Sequence, residues 1–242
     1  IRDELKKFKQ SGKFIYTYAT TFTQSSYYLG SVADSIFMYP KGMVALTGLS
    51  TTTPFFTETM QKVGIKPEII RHGKFKAAVE PFMLTKMSKE NRLQTEKLLQ
   101  DVWKTMLKDI SESRSIDLKK LNLTIDKLTI TMPPKEVIKL GLIDSLTYPD
   151  QFNDILAKKL NTDGTDDINF ISIYEIKTAK NKSKNEIAII YAEGGIDGNT
   201  DNIHSGYTQT IKKVLEDENV DAVILRVNSP GGSALISDEI LS

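Results

Sequence analysis

The sequence contains no cysteine. That excludes disulfides, thiolate nucleophiles and any metal held through sulfur, and leaves the redox compartment open. Histidine is nearly as scarce: His72 and His204 are the only two, too few for a histidine-rich metal site. No apolar run approaches the roughly 18 residues of a membrane-spanning helix, and Ile1-Arg2-Asp3 is no signal peptide. An excess of one charge is missing too. The 32 basic residues stand against 31 acidic ones, a formal net charge of +1, so no global field draws in nucleic acid.

What the chain does have is the composition of a globular protein, 40% hydrophobic and 26% charged over 242 residues. That length permits one large domain or two small ones. Residues 1–10 (IRDELKKFKQ) read as the last turns of a helix with Leu5 and Phe8 inward, stopped at Ser11-Gly12. FIYTYA at 14–19 predicts a strand, and 25–35 a short helix packed through Tyr28, Leu29 and Val32. A short strand over 36–38 is followed by a turn at Pro40-Lys41-Gly42. A threonine-rich loop at 47–53 leads to a helix over 54–63, ended by Gly64; 65–70 then returns as an extended segment near a sheet edge. Ser88 reads as the cap of a long amphipathic helix, with Leu99, Val102, Trp103, Met106, Leu107 and Ile110 spaced three and four apart. Trp103 on that face is taken as core. A short helix over 134–140 closes at Gly141.

From 151 to 184 the composition shifts. NTDGTDD at 161–167 and TAKNKSK at 178–184 are polar and turn-rich around one extended run, 168–176. Residues 151–185 therefore read as a connection between two units. Lys177, Lys180, Lys182 and Lys184 are taken as a solvated surface, because no aromatic residue is interleaved with them to stack on bases. EIAIIYA at 186–192 starts afresh as a buried strand. An amphipathic helix over 208–216 follows through Ile211, Val214 and Leu215, and Ala222-Val223-Ile224-Leu225 is the next strand, again read as buried. Strand, helix, strand at this spacing predicts a βαβ unit with a parallel sheet.

That second strand stops at Asn228-Ser229-Pro230-Gly231-Gly232, and from Ser233 a helix start brings Leu235, Ile236 and Ile240 to one face. A strand that breaks through Gly-Gly into a helix presents free backbone N–H groups to one point. Such a point holds a phosphate, a carboxylate or the oxyanion of a tetrahedral intermediate. The plainer alternative is a strand–turn–helix corner whose glycines only permit the bend. The two ends of the chain also fit each other. SPGGSALISDEILS joined to IRDELKKFKQSGKFIYTYAT makes one continuous strand, turn, helix, stop and strand. The expectation is a tandem repeat read from mid-repeat to mid-repeat. Residues 1–150 would be the back part of an N-terminal repeat, and 186–242 the front part of a C-terminal one.

Four blocks, VILRVNSPGGS, GKFKAAVEPF, SSYYLGSVADSIF followed by Pro40, and VIKLGLIDSL, together resemble the signal peptide peptidase A family. They are most similar to its long form, which carries two tandem copies of the fold. The likeness covers most of 1–150 and 186–242 and is weak across the connection. SPGG alone is loosely specific; GKFKAAVEPF in order with the other blocks is much more so. The resemblance implies an α/β protein of Clp/crotonase type: ββα-superhelix repeats with parallel sheets, in tandem copies that are both incomplete in this chain. It further implies a serine peptidase with a Ser–Lys dyad that degrades cleaved signal peptides, without metal, nucleotide or other cofactor. Such an enzyme sits at the bacterial cytoplasmic membrane, held by a segment absent from this chain, with its catalytic part on the extracytoplasmic side and its copies assembled as a homo-oligomer.

Residue by residue, the resemblance puts the general base at Lys76, immediately before Ala-Ala-Val-Glu-Pro-Phe, and not at Lys74. The nucleophilic serine belongs to a block that would follow Ser242. In the first copy the matching block is Thr23 to Tyr28. There Gln24 stands at the nucleophile position and Ser25 and Ser26 at glycine positions, so that copy is expected to be unable to attack by itself. Ser233 follows Gly-Gly but is not where the family places its nucleophile. Gly232, with Gly231 beside it, maps to the backbone oxyanion donor. The chemistry fits this division: a serine hydroxyl needs a base, and a lysine is a base only when neutral, which burial or a neighbouring cation such as Lys74 favours. A Ser–His reading through His72 lacks an acid, and Glu80 reads as an anchor of the local fold rather than an acid. Two other readings share the Gly-Gly turn: a crotonase-like acyl-CoA enzyme, and a catalytically dead homologue that only binds peptides.

Overall fold

Arg2–Gln10 forms helix α1 in a computed structural model that describes residues 1–176 and 185–241. Ser11 and Gly12 end it, Gly12 in the left-handed region at φ +84. Strand β1 (Tyr16–Phe22) follows, then α2 (Gln24–Gly30), capped by Thr23 Oγ1, which accepts from the Ser26 N–H at 3.2 Å. The chain returns as β2 (Ser35–Val44), parallel to β1. The expected turn at Pro40-Lys41-Gly42 does not form. β2 runs through it, and the register steps from Ala19–Met38 to Thr21–Met43, so the surplus residues bulge. A bulge is where proline costs no ladder hydrogen bond. Gly42 is required there, because a Cβ would lie 2.1 Å from Thr20 O.

Five helices separate β2 from the next strand. They are α3 (Thr57–Lys62), α4 (Glu80–Met83), α5 (Lys89–Arg114), α6 (Leu118–Ile125) and α7 (Pro134–Lys139). α3 is shorter than the pattern over 54–63 predicts, and Gly64 (φ +74) closes it. The extended segment expected at 65–70 joins no sheet; it is irregular and almost wholly exposed. Ser88 caps α5 as read, its Oγ accepting from the Asn91 N–H at 3.1 Å. Strand β3 (Ser145–Leu146) pairs in parallel with the far side of β2, giving a sheet in the order β1-β2-β3.

The core lies where this sheet meets α2, α6, α7 and the C-terminal half of α5. Tyr27, Ile36, Met38, Ile110, Leu121 and Val137 are fully buried there, with Trp103 packed against them. α2 buries Tyr27 rather than Tyr28. The Tyr27 hydroxyl donates to Leu142 O at 2.6 Å, and burial pushes its phenol well above the ordinary range. Tyr28 instead donates to Asp109 of α5. Of the apolar stripe read on α5 only Val102 is exposed; Leu93 and Leu98, which lie off that stripe, are exposed as well.

The stretch read as a connection opens with a helix, α8 (Pro149–Leu160). Phe152 stacks on Tyr18 at 5.0 Å and Ala157 is buried, so these residues pack with the first sheet. Contacts divide the chain into two units, Ile1–Phe170 and Ile171–Ser242. The run at 168–176 is not extended throughout: Ile173–Glu175 make a 3₁₀ turn. Lys177, Lys180, Lys182 and Lys184 lie outside the described residues.

In the second unit β4 (Glu186–Glu193), α9 (Tyr207–Glu216) and β5 (Val220–Asn228) form the expected βαβ arrangement, the two strands parallel, and α10 (Ala234–Leu241) follows. The strands are not buried as read, since only Ile190 and Ala192 of β4 are buried and β5 is almost wholly exposed in a sheet of two strands. The protein is thus α/β, with a parallel sheet in each unit. Among the described residues no helix is long and apolar enough to cross a membrane.

Candidate active site

Gly73 turns the chain at φ +87 into Lys74, Phe75 and Lys76, all exposed. Ala77–Val79 make a single 3₁₀ turn, and α4 begins at once with Pro81 in its first turn, where a missing N–H leaves nothing unpaired. α4 is held from the side of α3. The Phe56 N–H donates to Pro81 O at 2.7 Å and Thr57 Oγ1 to Leu84 O at 2.6 Å, while the Phe56 and Phe82 rings stack with centroids 6.0 Å apart. An open cleft of about 600 Å³ lies beside them, its walls including Ile65, Pro67, Ile69, Phe82 and Met83.

Four residues beyond Lys76, the fully buried Glu80 ties this loop to α5. Its carboxylate accepts from Ser88 Oγ at 2.5 Å, the Ser88 N–H at 3.2 Å and Asn91 Nδ2 at 2.9 Å, and Arg71 Nη1 lies at 3.4 Å. Burial alone would push this carboxyl up. The hydrogen bonds from Ser88 and Asn91, with the Arg71 charge, outweigh it and hold Glu80 below its ordinary range. A carboxylate so held has no proton to give. Glu80 is an anchor, as its neighbours in the sequence suggested, but Arg71, Ser88 and Asn91 as its partners had no signal there. His72 is exposed, and among the described residues no carboxylate is bonded to it.

In the second unit the Gly231-Gly232 turn is strapped to Ile196. The Ile196 N–H donates to Gly231 O at 3.0 Å, and Ile196 O accepts from the Ser233 N–H at 2.6 Å. Gly231 sits at φ +99, and a Cβ on Gly232 would come within 2.2 Å of Ile196 O, so the close approach admits only glycine. The exposed Gly232 N–H has no acceptor among the described residues. Ser233 Oγ accepts from the Ile236 N–H at 3.3 Å, which makes it the cap of α10. The Ile196 loop is itself stapled. Asp197 accepts from the Asn199 N–H at 3.0 Å and from Asn202 Nδ2 at 2.8 Å, bonds that hold its carboxyl below the ordinary range. In the sequence this loop shows only as turn residues; the strap to the glycines is a tertiary contact. His204 uses Nδ1 to accept from the Gly206 N–H at 3.1 Å.

Gln24, at the start of α2, directs Oε1 at two backbone donors, the N–H groups of Thr47 and Gly48, each at 3.1 Å. Ser26 Oγ donates to Thr23 O at 3.1 Å. The position that the resemblance gives to a nucleophile in the first copy is therefore occupied by a side-chain acceptor already engaged with the backbone. Among the described residues, no group of three His, Asp or Glu side chains comes together as metal ligands.

Comparison with known proteins gives a family and relatives for the chain. The model of peptidase family S49 matches residues 7–163, an interval that contains both Gln24 and the Lys76 loop. The chain is 31% identical over 257 residues to Protease 4 of Haemophilus influenzae and 30% identical over 250 residues to Protease 4 of Salmonella typhi. It is 27% identical over 252 residues to the chloroplastic serine protease SPPA of Arabidopsis thaliana. Each alignment covers 98% of this chain, and so includes the Gly231-Gly232 turn, but only 41%, 40% and 37% of the respective relatives. The chain spans about two fifths of the length of the curated relatives it matches. Its two parallel sheets are consistent with the Clp/crotonase-like fold. Family match and relatives agree: this chain belongs to peptidase family S49.

Proposed function

We propose that this chain is part of a serine peptidase that works through a Ser–Lys dyad, with Lys76 as general base and the nucleophilic serine in residues after Ser242. The observation that carries the reading is the Gly232 N–H, without an acceptor among the described residues, on a glycine turn strapped to Ile196 in a chain of family S49. In this mechanism neutral Lys76 takes the serine proton as the hydroxyl attacks a peptide carbonyl. The carbonyl oxygen becomes negative and accepts from the Gly232 N–H, with Gly231 shaping the turn. Collapse expels the amine, which takes the proton back from the lysine. Water, activated by the same base, then hydrolyses the acyl-enzyme. A lysine serves this role only when neutral, so the reading requires the exposed Lys76 to be covered in the assembled enzyme.

The substrates we propose are cleaved signal peptides, unstructured and apolar; the mixed cleft beside α4, where Ile65, Phe82 and Met83 stand among Thr57, Gln61 and Lys66, offers apolar wall to such a ligand. The tandem arrangement, the homo-oligomer and the extracytoplasmic site, at a membrane reached through a segment outside this chain, rest on the four sequence blocks. A parallel sheet in each of the two units supports the first of these. The acyl-CoA reading of the same turn has less behind it, because the relatives are named as proteases.

The test is Lys76→Ala in the complete protein. It is expected to lower peptide hydrolysis by ~10²–10⁴-fold with the fold retained, the usual loss for a general base. Lys74→Ala should stay within a few-fold of wild type. Activity near wild type in the Lys76 variant would sink the assignment.

A further inference from the structure

We infer that Glu80 is a positioning residue for the base, a step that rests on the reading of Lys76 above. Lys76 lies on a loop closed by one carboxylate: Arg71, five residues before it, engages Glu80, four residues after it. The same carboxylate takes three hydrogen bonds from Ser88 and Asn91 at the head of α5. α5 in turn buries Leu107 and Ile110 in the core of its unit. The chain around Lys76 has little else to hold it, since 65–76 carries no regular structure and is almost wholly exposed. Glu80 therefore links the Lys76 loop to α5 and the core, while Phe56 and Thr57 hold the helix after it only from the side of α3. A general base displaced by about 1 Å loses as much as ~10²-fold in rate, so this knot acts on turnover and not on folding alone.

The ionised form is needed. A carboxylate accepts from all four donors, whereas an amide of the same shape turns its own NH₂ toward two of them, either Arg71 and Ser88 Oγ or the Ser88 N–H and Asn91 Nδ2. Glu80→Gln in the complete enzyme is expected to reduce kcat about ten-fold or more, with KM within about two-fold. Backbone amides of 72–79 should exchange faster in the same variant. Adding Asn91→Asp restores one acid–amide pair across the gap with the partners exchanged. It should bring kcat back to within about three-fold of wild type and return the exchange rates. Arg71→Gln cuts only the arm that closes the loop, leaves α5 untouched, and should lower kcat without raising KM.

Wild-type kcat and unchanged loop exchange in both Glu80→Gln and Arg71→Gln overturn the proposal. So does a Glu80→Gln defect that the added Asn91→Asp leaves uncorrected while the protein is folded. The base assignment fails separately: if Lys76→Ala is active, Lys76 is not the base, and amide exchange alone then decides whether Glu80 holds the loop. If Glu80→Gln does not fold, Arg71→Gln carries the decision.

Discussion

Gln24 illustrates how a single residue changes what a site does. A serine there would present a hydroxyl; the glutamine reaches further and places a neutral carbonyl oxygen on the Thr47 and Gly48 N–H groups. Each such bond contributes roughly 0.5–1.5 kcal/mol net, toward the low end when it is exposed to water. Gln24→Ala is therefore expected to cost about 1 kcal/mol in chemical denaturation and to speed exchange of the Thr47 and Gly48 amides. Gln24→Glu, which keeps the acceptor, should preserve both protections. Unchanged exchange in the alanine variant would show that the contact does not hold the loop. The choice between Tyr27 and Tyr28 is decided at the same scale: adjacent tyrosines fit one helical pattern equally, and the Leu142 carbonyl gives the buried hydroxyl its partner.

Among the elements, the glycine turn is the one whose geometry leaves least room. Strand β5 and helix α10 are ordinary pieces, and the corner between them is shaped by the Ile196 backbone. Gly232→Ala would place a methyl within 2.2 Å of Ile196 O, so the bridge must open or the turn must shift. Overpacking of this kind costs about 1–3 kcal/mol. The expected result is loss of amide protection at Ile196 and Ser233, together with a second unit less stable by that amount. Wild-type protection in the variant would mean that the strap yields without cost. β2 shows the opposite tolerance. It absorbs Pro40 and three neighbours as a bulge and resumes pairing at Met43 and Val44.

For the molecule as a whole, the proposed division of chemistry between the units has a direct consequence. The first unit carries Lys76 and the occupied Gln24 position; the second carries the glycine turn and a Ser233 committed to capping. In the proposed mechanism the nucleophilic serine is none of those in these 242 residues. The isolated chain is expected to be inert toward an unstructured apolar peptide and to resist labelling by a serine-reactive probe. Turnover by rigorously purified chain, with label on Ser233, would overthrow both the mechanism and the placement of the nucleophile. The second unit also leaves Leu225 and Val227 of β5 exposed, as a sheet of two strands must when little packs over it.

Local chemistry was legible from the sequence. The Ser88 cap, the long helix behind it, the parallel βαβ unit, the Gly-Gly turn and the family blocks each depend on residues close together in the chain, where propensity, capping and periodicity act. The reading of Pro40-Lys41-Gly42 as a turn went wrong for the same reason. Proline and glycine signal a break locally, but a parallel neighbour on each side carries β2 through. At 151–160 no local pattern signals that α8 packs on the first sheet through Phe152 and Tyr18. The contacts that hold the candidate residues join different elements: Gln24 to Gly48 and Glu80 to Asn91 within the first unit, and Ile196 to Gly232 within the second. A hydrogen bond between distant residues has no periodicity and no fixed spacing, so only the tertiary fold decides which donor meets which acceptor.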